Sequence, residues 1–70
     1  MKEGLKVKVS KLKTTKGMMI NPKYLETRAV GKTGRLIGYV PGLGGDVWWV
    51  RHDGNPEEFG AYSYTELKKV

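Results

Sequence analysis

The extended run at residues 46–55, which carries both tryptophans, constrains the fold more than any other part of the chain. It is rich in β-favouring residues and stops at an Asp-Gly turn signal, so it predicts a strand. Alternation places Trp48, Val50 and His52 on one face and Val47, Trp49 and Arg51 on the other. Because a small chain can fully bury only one such row, we expect the first row in the core and the second near the surface.

The small size of the chain limits how it can be stabilised. It has 70 residues and no cysteine, so neither a disulfide framework nor a thiolate metal site is available, and packing of large apolar side chains must suffice. The chain contains neither a signal-peptide pattern nor an apolar run of about 18 residues. We therefore expect one soluble domain spanning residues 1–70, in the cytoplasm, with no membrane partner and no cofactor.

Alternation and turn residues predict the remaining strands. Residues 5–10 alternate with Leu5, Val7 and Val9 directed inward. Further strands are predicted at residues 35–40, 58–62 and 68–70, with turns at residues 31–34, 41–45 and 53–56 and a 3₁₀ turn at residues 63–67 capped by Ser63. Gly34 opens the second strand where only a residue without Cβ fits, and Gly38 within that strand predicts a bulge.

Residues 11–28 break the alternation and predict a long loop around Pro22. Its apolar residues predict that it folds back over the sheet; they are Met18, Met19, Ile20, Tyr24 and Leu25. One helical turn is expected at residues 24–26.

This order of elements resembles a small five-stranded SH3-like barrel, all-β, with a long loop after the first strand and a 3₁₀ turn before the last. Residues 34–38, Gly-Arg-Leu-Ile-Gly, are similar to the second strand of KOW-type barrels. The ending at residues 61–70 resembles the end of the photosystem I subunit IV family. Residues 48–52 of this chain also partly match the third strand of that family. Residues 31–35, Gly-Lys-Thr-Gly-Arg, also occur in the Sul7-type DNA-binding proteins, at another place in the strand order. The resemblance to the photosystem subunit implies a fold and not a photosynthetic role, and the string shared with the Sul7-type proteins favours DNA binding.

Charge is unevenly distributed along the chain. Residues 1–40 carry ten Lys or Arg against two carboxylates, a balance of +8, and residues 41–70 carry three against five, a balance of −2. Such a dipolar surface can steer a polyanion to one side. The alternative is that the lysines serve solubility and protect edge strands.

Two short motifs resemble parts of a nucleotide-binding site and of a metal or acid–base site, but neither has the full set of residues that such a site needs. The Gly31-Lys32-Thr33 string lacks both the earlier glycine and the following helix of a phosphate-binding loop, so it predicts a turn. His52 is the only histidine, and with Asp53, Glu57 and Glu58 it makes a weak metal or acid–base set. We expect His52 to close the inward row and Asp53 to form an Asx turn with Gly54. The chain is therefore not expected to be an enzyme or to take a small-molecule substrate.

The candidate binding residues are cations and aromatics of the outward rows: Lys6, Lys8, Arg35, Tyr39, Trp49 and Arg51. Two interpretations of Trp49 stay open. It can be exposed for recognition, stacking on bases or proline rings, or it can pack beneath the loop at residues 11–28. The sequence thus predicts a monomeric, non-catalytic binding module for nucleic acid, with a protein-docking small subunit or adaptor of a larger complex as the alternative.

Overall fold

The protein forms five strands in a computed structural model that describes residues 2–13, 20–40 and 46–70. The strands are β1 Lys6–Val9, β2 Thr33–Tyr39, β3 Val47–His52, β4 Phe59–Ser63 and β5 Leu67–Lys69. One helical turn, α1 Lys23–Glu26, precedes β2, and a 3₁₀ turn, Tyr64–Glu66, links β4 to β5. The helical turn predicted at residues 24–26 and the 3₁₀ turn predicted at residues 63–67 are therefore both confirmed. The turn expected at residues 41–45 and the anchors Met18 and Met19 lie outside the described residues.

All five strands belong to one antiparallel sheet with the order β4-β3-β2-β1-β5. The all-β prediction is therefore confirmed. In the part of the chain that the structure describes, no helix is long and apolar enough to cross a membrane.

The link between β4 and β5 requires the sheet to curve. These strands lie at opposite ends of the sheet order, so in a flat sheet four spacings of about 4.8 Å would separate them by about 19 Å. The link from Ser63 to Leu67 reaches at most about 14 Å when fully extended, and most of it is a 3₁₀ turn. A flat sheet is thus excluded by chain length alone.

The inner face of the curved sheet encloses the main core. Its buried members come from all five strands: Val7, Val9, Leu36, Val50, Tyr62 and Leu67. Leu5 and Trp48 pack against this cluster while partly exposed, and His52 closes the row at 2% exposure. The predicted inward row of β3 is confirmed for Val50 and His52, whereas Trp48 packs on the core and is only partly buried.

A second apolar cluster covers one end of the outer face. Val40, Val47 and Ala61 are buried there, and Ile20, Leu25 and Trp49 pack against them. The expectation that only one row of β3 can be buried is wrong at this end, because the chain around α1 supplies a cover for Val47.

The segment at residues 20–32, called the edge segment below, passes around the edge strand β4. Leu25 packs on the outer face, the Thr27 hydroxyl donates to the Phe59 carbonyl at 2.7 Å, and the Arg28 guanidinium lies 5.3 Å from the centre of the Tyr62 ring on the inner face. Arg28 also forms a buried ion pair with Glu66. Glu66 in turn accepts from the backbone N–H groups of Lys13 and Ser63 at 2.6 and 2.7 Å, which caps the 3₁₀ turn.

Two glycines of β2 act as the sequence predicts. A Cβ on Gly34 would lie 2.2 Å from the Arg51 carbonyl oxygen, so only glycine fits there. At the second glycine the register shifts: Leu36 is opposite Val50, whereas Gly38 is opposite Trp49. This is a β-bulge, which leaves Ile37 without a partner and reverses the alternation beyond it.

Candidate nucleic-acid interface

Three cations lie side by side on the outer face of the sheet. The register places Lys6 of β1 opposite Arg35 of β2, and Arg35 opposite Arg51 of β3. Phe59 of β4 continues the same row opposite Arg51. Adjacent strands are about 4.8 Å apart, so the three cations form a compact line across the sheet. We call Lys6, Arg35 and Arg51 the cation row.

A second line of positive charge runs beside the cation row. Lys8 of β1 lies opposite Lys68 of β5 and, on its other side, opposite Thr33 of β2. Both lysines are exposed. Sequence reasoning missed Lys68 as a site residue. The predicted closing strand at residues 68–70 could have indicated it, because a last strand that pairs with β1 brings Lys68 beside the lysines of β1.

The two arginines keep their charge available. Arg35 Nη1 donates to the Gly4 carbonyl oxygen at 3.0 Å, and the Arg51 guanidinium lies 5.5 Å from the centre of the Phe59 ring. Among the described residues, neither arginine has a carboxylate within salt-bridge distance. Both line an open groove of about 590 Å³, which is also lined by Glu3, Gly4 and Asp53.

Asp53 directly follows β3 and forms a salt bridge with Lys6. Its carboxylate accepts from the Lys6 ammonium group and, at 2.7 Å, from the Thr33 hydroxyl. These hydrogen bonds, that of Lys6 first, lower the pKa of Asp53. The Asx turn expected of Asp53 is wrong, because its side chain is engaged by β1 and β2. Asn55 provides that contact instead, accepting from the Glu57 N–H at 3.2 Å, while Gly54 takes the positive φ of the turn.

An apolar pocket of about 230 Å³ lies next to the cation row and is lined by Tyr24, Ile37, Trp49 and Phe59. The Tyr24 and Trp49 rings meet edge to face with centroids 5.0 Å apart. Each of the two interpretations of Trp49 therefore holds in part: the edge segment covers one part of the side chain, and the other part faces the pocket. Sequence reasoning missed Ile37 and Phe59 as pocket residues, because their meeting depends on the bulge and on the register of β4.

Tyr39 is not on this face. The bulge places Tyr39 opposite Trp48, whose neighbours in alternation, Val50 and His52, point to the inner face. The Tyr39 and Trp48 rings meet edge to face with centroids 6.1 Å apart, and Tyr39 remains 58% exposed. The structure brings together the other five predicted site residues, Lys6, Lys8, Arg35, Trp49 and Arg51, and separates Tyr39 from them.

His52 lies inside the protein between two polar partners. Its Nδ1 is 2.8 Å from Glu58 Oε2 and its Nε2 is 2.8 Å from the Tyr62 hydroxyl. The hydrogen bond from Lys32 and that of His52 lower the pKa of Glu58, and burial raises the pKa of Tyr62. The carboxylate therefore has no proton to give, so Nδ1 donates to Glu58 and Nε2 accepts from Tyr62. Burial lowers the pKa of His52, and the bond to Glu58 opposes that effect.

The acidic side chains around His52 do not assemble into a metal site in the described ranges, where no group of three or more potential ligands meets. Glu58 is instead bound to the Lys32 ammonium group at 2.9 Å.

No protein-family model, no curated protein and no solved structure matches the chain.

Proposed function

We propose that this protein is a non-catalytic binding module that binds nucleic acid through the outer face of its sheet. The observation that carries this proposal is the register of β1, β2 and β3, which aligns Lys6, Arg35 and Arg51 on adjacent strands. Lys8 and Lys68 extend the positive charge beside that row.

Phosphate is the anion that such a face suits best. Arginine presents a planar fork of donors that binds phosphate through two hydrogen bonds, and two arginines face the groove without a carboxylate partner in the described ranges. Arg35 already donates to the Gly4 carbonyl oxygen and Arg51 already lies against the Phe59 ring, which reduces the freedom that these two side chains lose on binding. A polymer of regularly spaced phosphates can contact several of these cations at once.

A salt titration tests the proposal. We expect a labelled DNA or RNA oligonucleotide to bind at low salt, with log K falling linearly against log salt at a slope between about −2 and −4.5 for three to five phosphate contacts. Arg35→Ala or Arg51→Ala should weaken binding and reduce the steepness of the slope by about 1 each.

Lys69→Ala is the matched control. Lys69 is exposed but lies opposite Val7, a core residue, so it occupies the other face of the sheet. It removes one positive charge, as the arginine variants do, and should change binding much less. Equal losses in all three variants would show that net charge alone drives association, and absence of binding at low salt would overturn the proposal.

A protein-docking role is the second candidate, favoured by the apolar pocket and the exposed Ile37. A small subunit or adaptor would place that pocket against a partner protein. Purification from the native source tests this role: a stoichiometric protein partner that protects Ile37 from chemical or hydrogen-exchange labelling supports it, and recovery of the free monomer contradicts it.

We also propose that the curved sheet is that of an SH3-like barrel, in a monomeric, cytoplasmic protein. The return of the last strand beside the first supports the barrel, as does the 3₁₀ turn before β5. Distance measurements between β4 and β5 in solution would test it, because a barrel requires these two strands to lie close together.

A further inference from the structure

We infer that the nucleic acid bound on this face is single-stranded, with a base inserted in the apolar pocket and its phosphates on the cation row. This inference rests on the proposed function and adds the class of nucleic acid. It follows from the position of the pocket relative to the cations.

The pocket and the cation row are adjacent along the strands. Arg51 and Trp49 are two residues apart on the same face of β3, which corresponds to about 6.7 Å. Arg35 and Ile37 have the same spacing on β2. A nucleotide joins a charged phosphate to an apolar ring face through one sugar, so a single nucleotide can satisfy both neighbouring surfaces.

The pocket presents aromatic rings from three elements. Tyr24 comes from α1, Trp49 from β3 and Phe59 from β4. The Thr27 hydroxyl holds the edge segment to the Phe59 carbonyl at 2.7 Å, which fixes α1 against β4, and Arg51 lies over the Phe59 ring. Rings held in place in this way offer stacking surfaces that tolerate any base.

A duplex cannot use these surfaces in the same way. Its bases are stacked and paired inside, and its phosphates form the outside, so a duplex would meet the cation row and leave the pocket empty unless a base were extruded. Single strands expose both groups. The combination of apolar pocket and phosphate-binding row therefore favours the single strand.

Three probes of equal length and label test this inference: a single-stranded oligonucleotide, the corresponding blunt duplex, and an abasic strand that carries the same phosphates without bases. We expect the single strand to bind at least about five-fold tighter than the abasic strand, because stacking of one base is worth between about five-fold and about 140-fold in affinity. It should also bind tighter than the duplex at the same salt concentration.

Phe59→Leu and Tyr24→Leu are the informative variants, since they keep an apolar side chain and remove a ring. Tyr24→Leu should weaken binding of the single strand toward that of the abasic strand and leave abasic binding unchanged. Phe59→Leu should weaken binding of the single strand more than that of the abasic strand, because it also removes the ring that Arg51 lies over. Trp49 also packs against the second cluster, so its replacement is less suitable. Thermal unfolding of each variant shows whether it is folded.

The outcomes separate this inference from the proposed function. Equal affinity for the single and abasic strands, or tighter binding of the duplex, overturns the inference and leaves a phosphate-binding module. Failure of all three probes to bind at low salt overturns both and directs attention to a protein partner.

Discussion

The carboxylate of Asp53 binds the ammonium group of Lys6 at the end of the cation row. The same carboxylate accepts from the Thr33 hydroxyl at 2.7 Å. Asp53 thus positions one cation of the proposed interface and also places a negative charge beside it. A phosphate that approaches Lys6 must compete with this carboxylate.

Asp53→Asn is therefore expected to tighten nucleic-acid binding. It removes a repulsive charge and releases Lys6, and a gain of about two- to five-fold in affinity at low salt is expected for an exposed ion pair. Fluorescence anisotropy with a labelled oligonucleotide measures it. Asp46→Asn is the control, because it removes the same charge at the far end of β3. An equal gain in both variants would contradict the specific role of Asp53.

Tyr39→Ser is expected to leave nucleic-acid affinity within about two-fold of the unmodified protein, since the bulge places Tyr39 on the face of Trp48. The variant should instead lose about 0.5–1.5 kcal/mol of stability, the worth of an aromatic pair. Parallel binding and denaturation experiments check both values. A ten-fold loss of affinity at unchanged stability would show that Tyr39 contacts the nucleic acid and would contradict this prediction.

Gly34→Ala is expected to lower the free energy of unfolding by about 2 kcal/mol or more, because the added methyl group meets a backbone oxygen at 2.2 Å and the neighbouring strand must move. Gly38→Ala is the matched variant within β2. Its added methyl group would lie 3.8 Å from Glu3 Oε1, so little or no loss is expected. Chemical denaturation measures both, and equal losses would show that strand propensity, not the close contact, sets the cost.

The single histidine provides a test of pH dependence. Burial lowers the pKa of His52 in the folded state, so the unfolded chain binds more protons just below pH 6.5. The contribution of His52 to stability is thus complete above about pH 6.5 and is lost as the pH falls from there toward the lowered pKa. Proton NMR of its imidazole should show a pKa below 6.5. A value at or above 6.5 would mean that the bond to Glu58 outweighs burial.

Alternation was sufficient to predict the inner core. Val7, Val9 and Val50 are buried as the period of two requires, and Leu36 lies with them. The cation row could be predicted in part for the same reason, since the alternation that buries the apolar residues sends Lys6, Arg35 and Arg51 to the outward face. Their alignment on neighbouring strands depends on the register, which alternation does not give.

The bulge limited what the sequence could predict about the rest of the face. Gly38 predicted a bulge, but its effect on Tyr39 and Val40 depends on which residue loses its partner, and that is decided by the pairing of β2 with β3. Alternation predicts Val47 near the surface, whereas Ile20 and Leu25, far away in the chain, pack against its cluster and bury it. Contacts of this kind arise from tertiary packing and have no local signature.

The position of the edge segment also bears on how the protein behaves at high concentration. An uncovered edge strand offers unpaired backbone groups to other molecules and invites aggregation. Here the Thr27 hydroxyl occupies the Phe59 carbonyl at the β4 edge. The opposite edge, β5, is three residues long and carries Lys68 and Lys69. One edge is thus covered and the other is short and charged, so growth of the sheet from one molecule to the next is opposed at both ends.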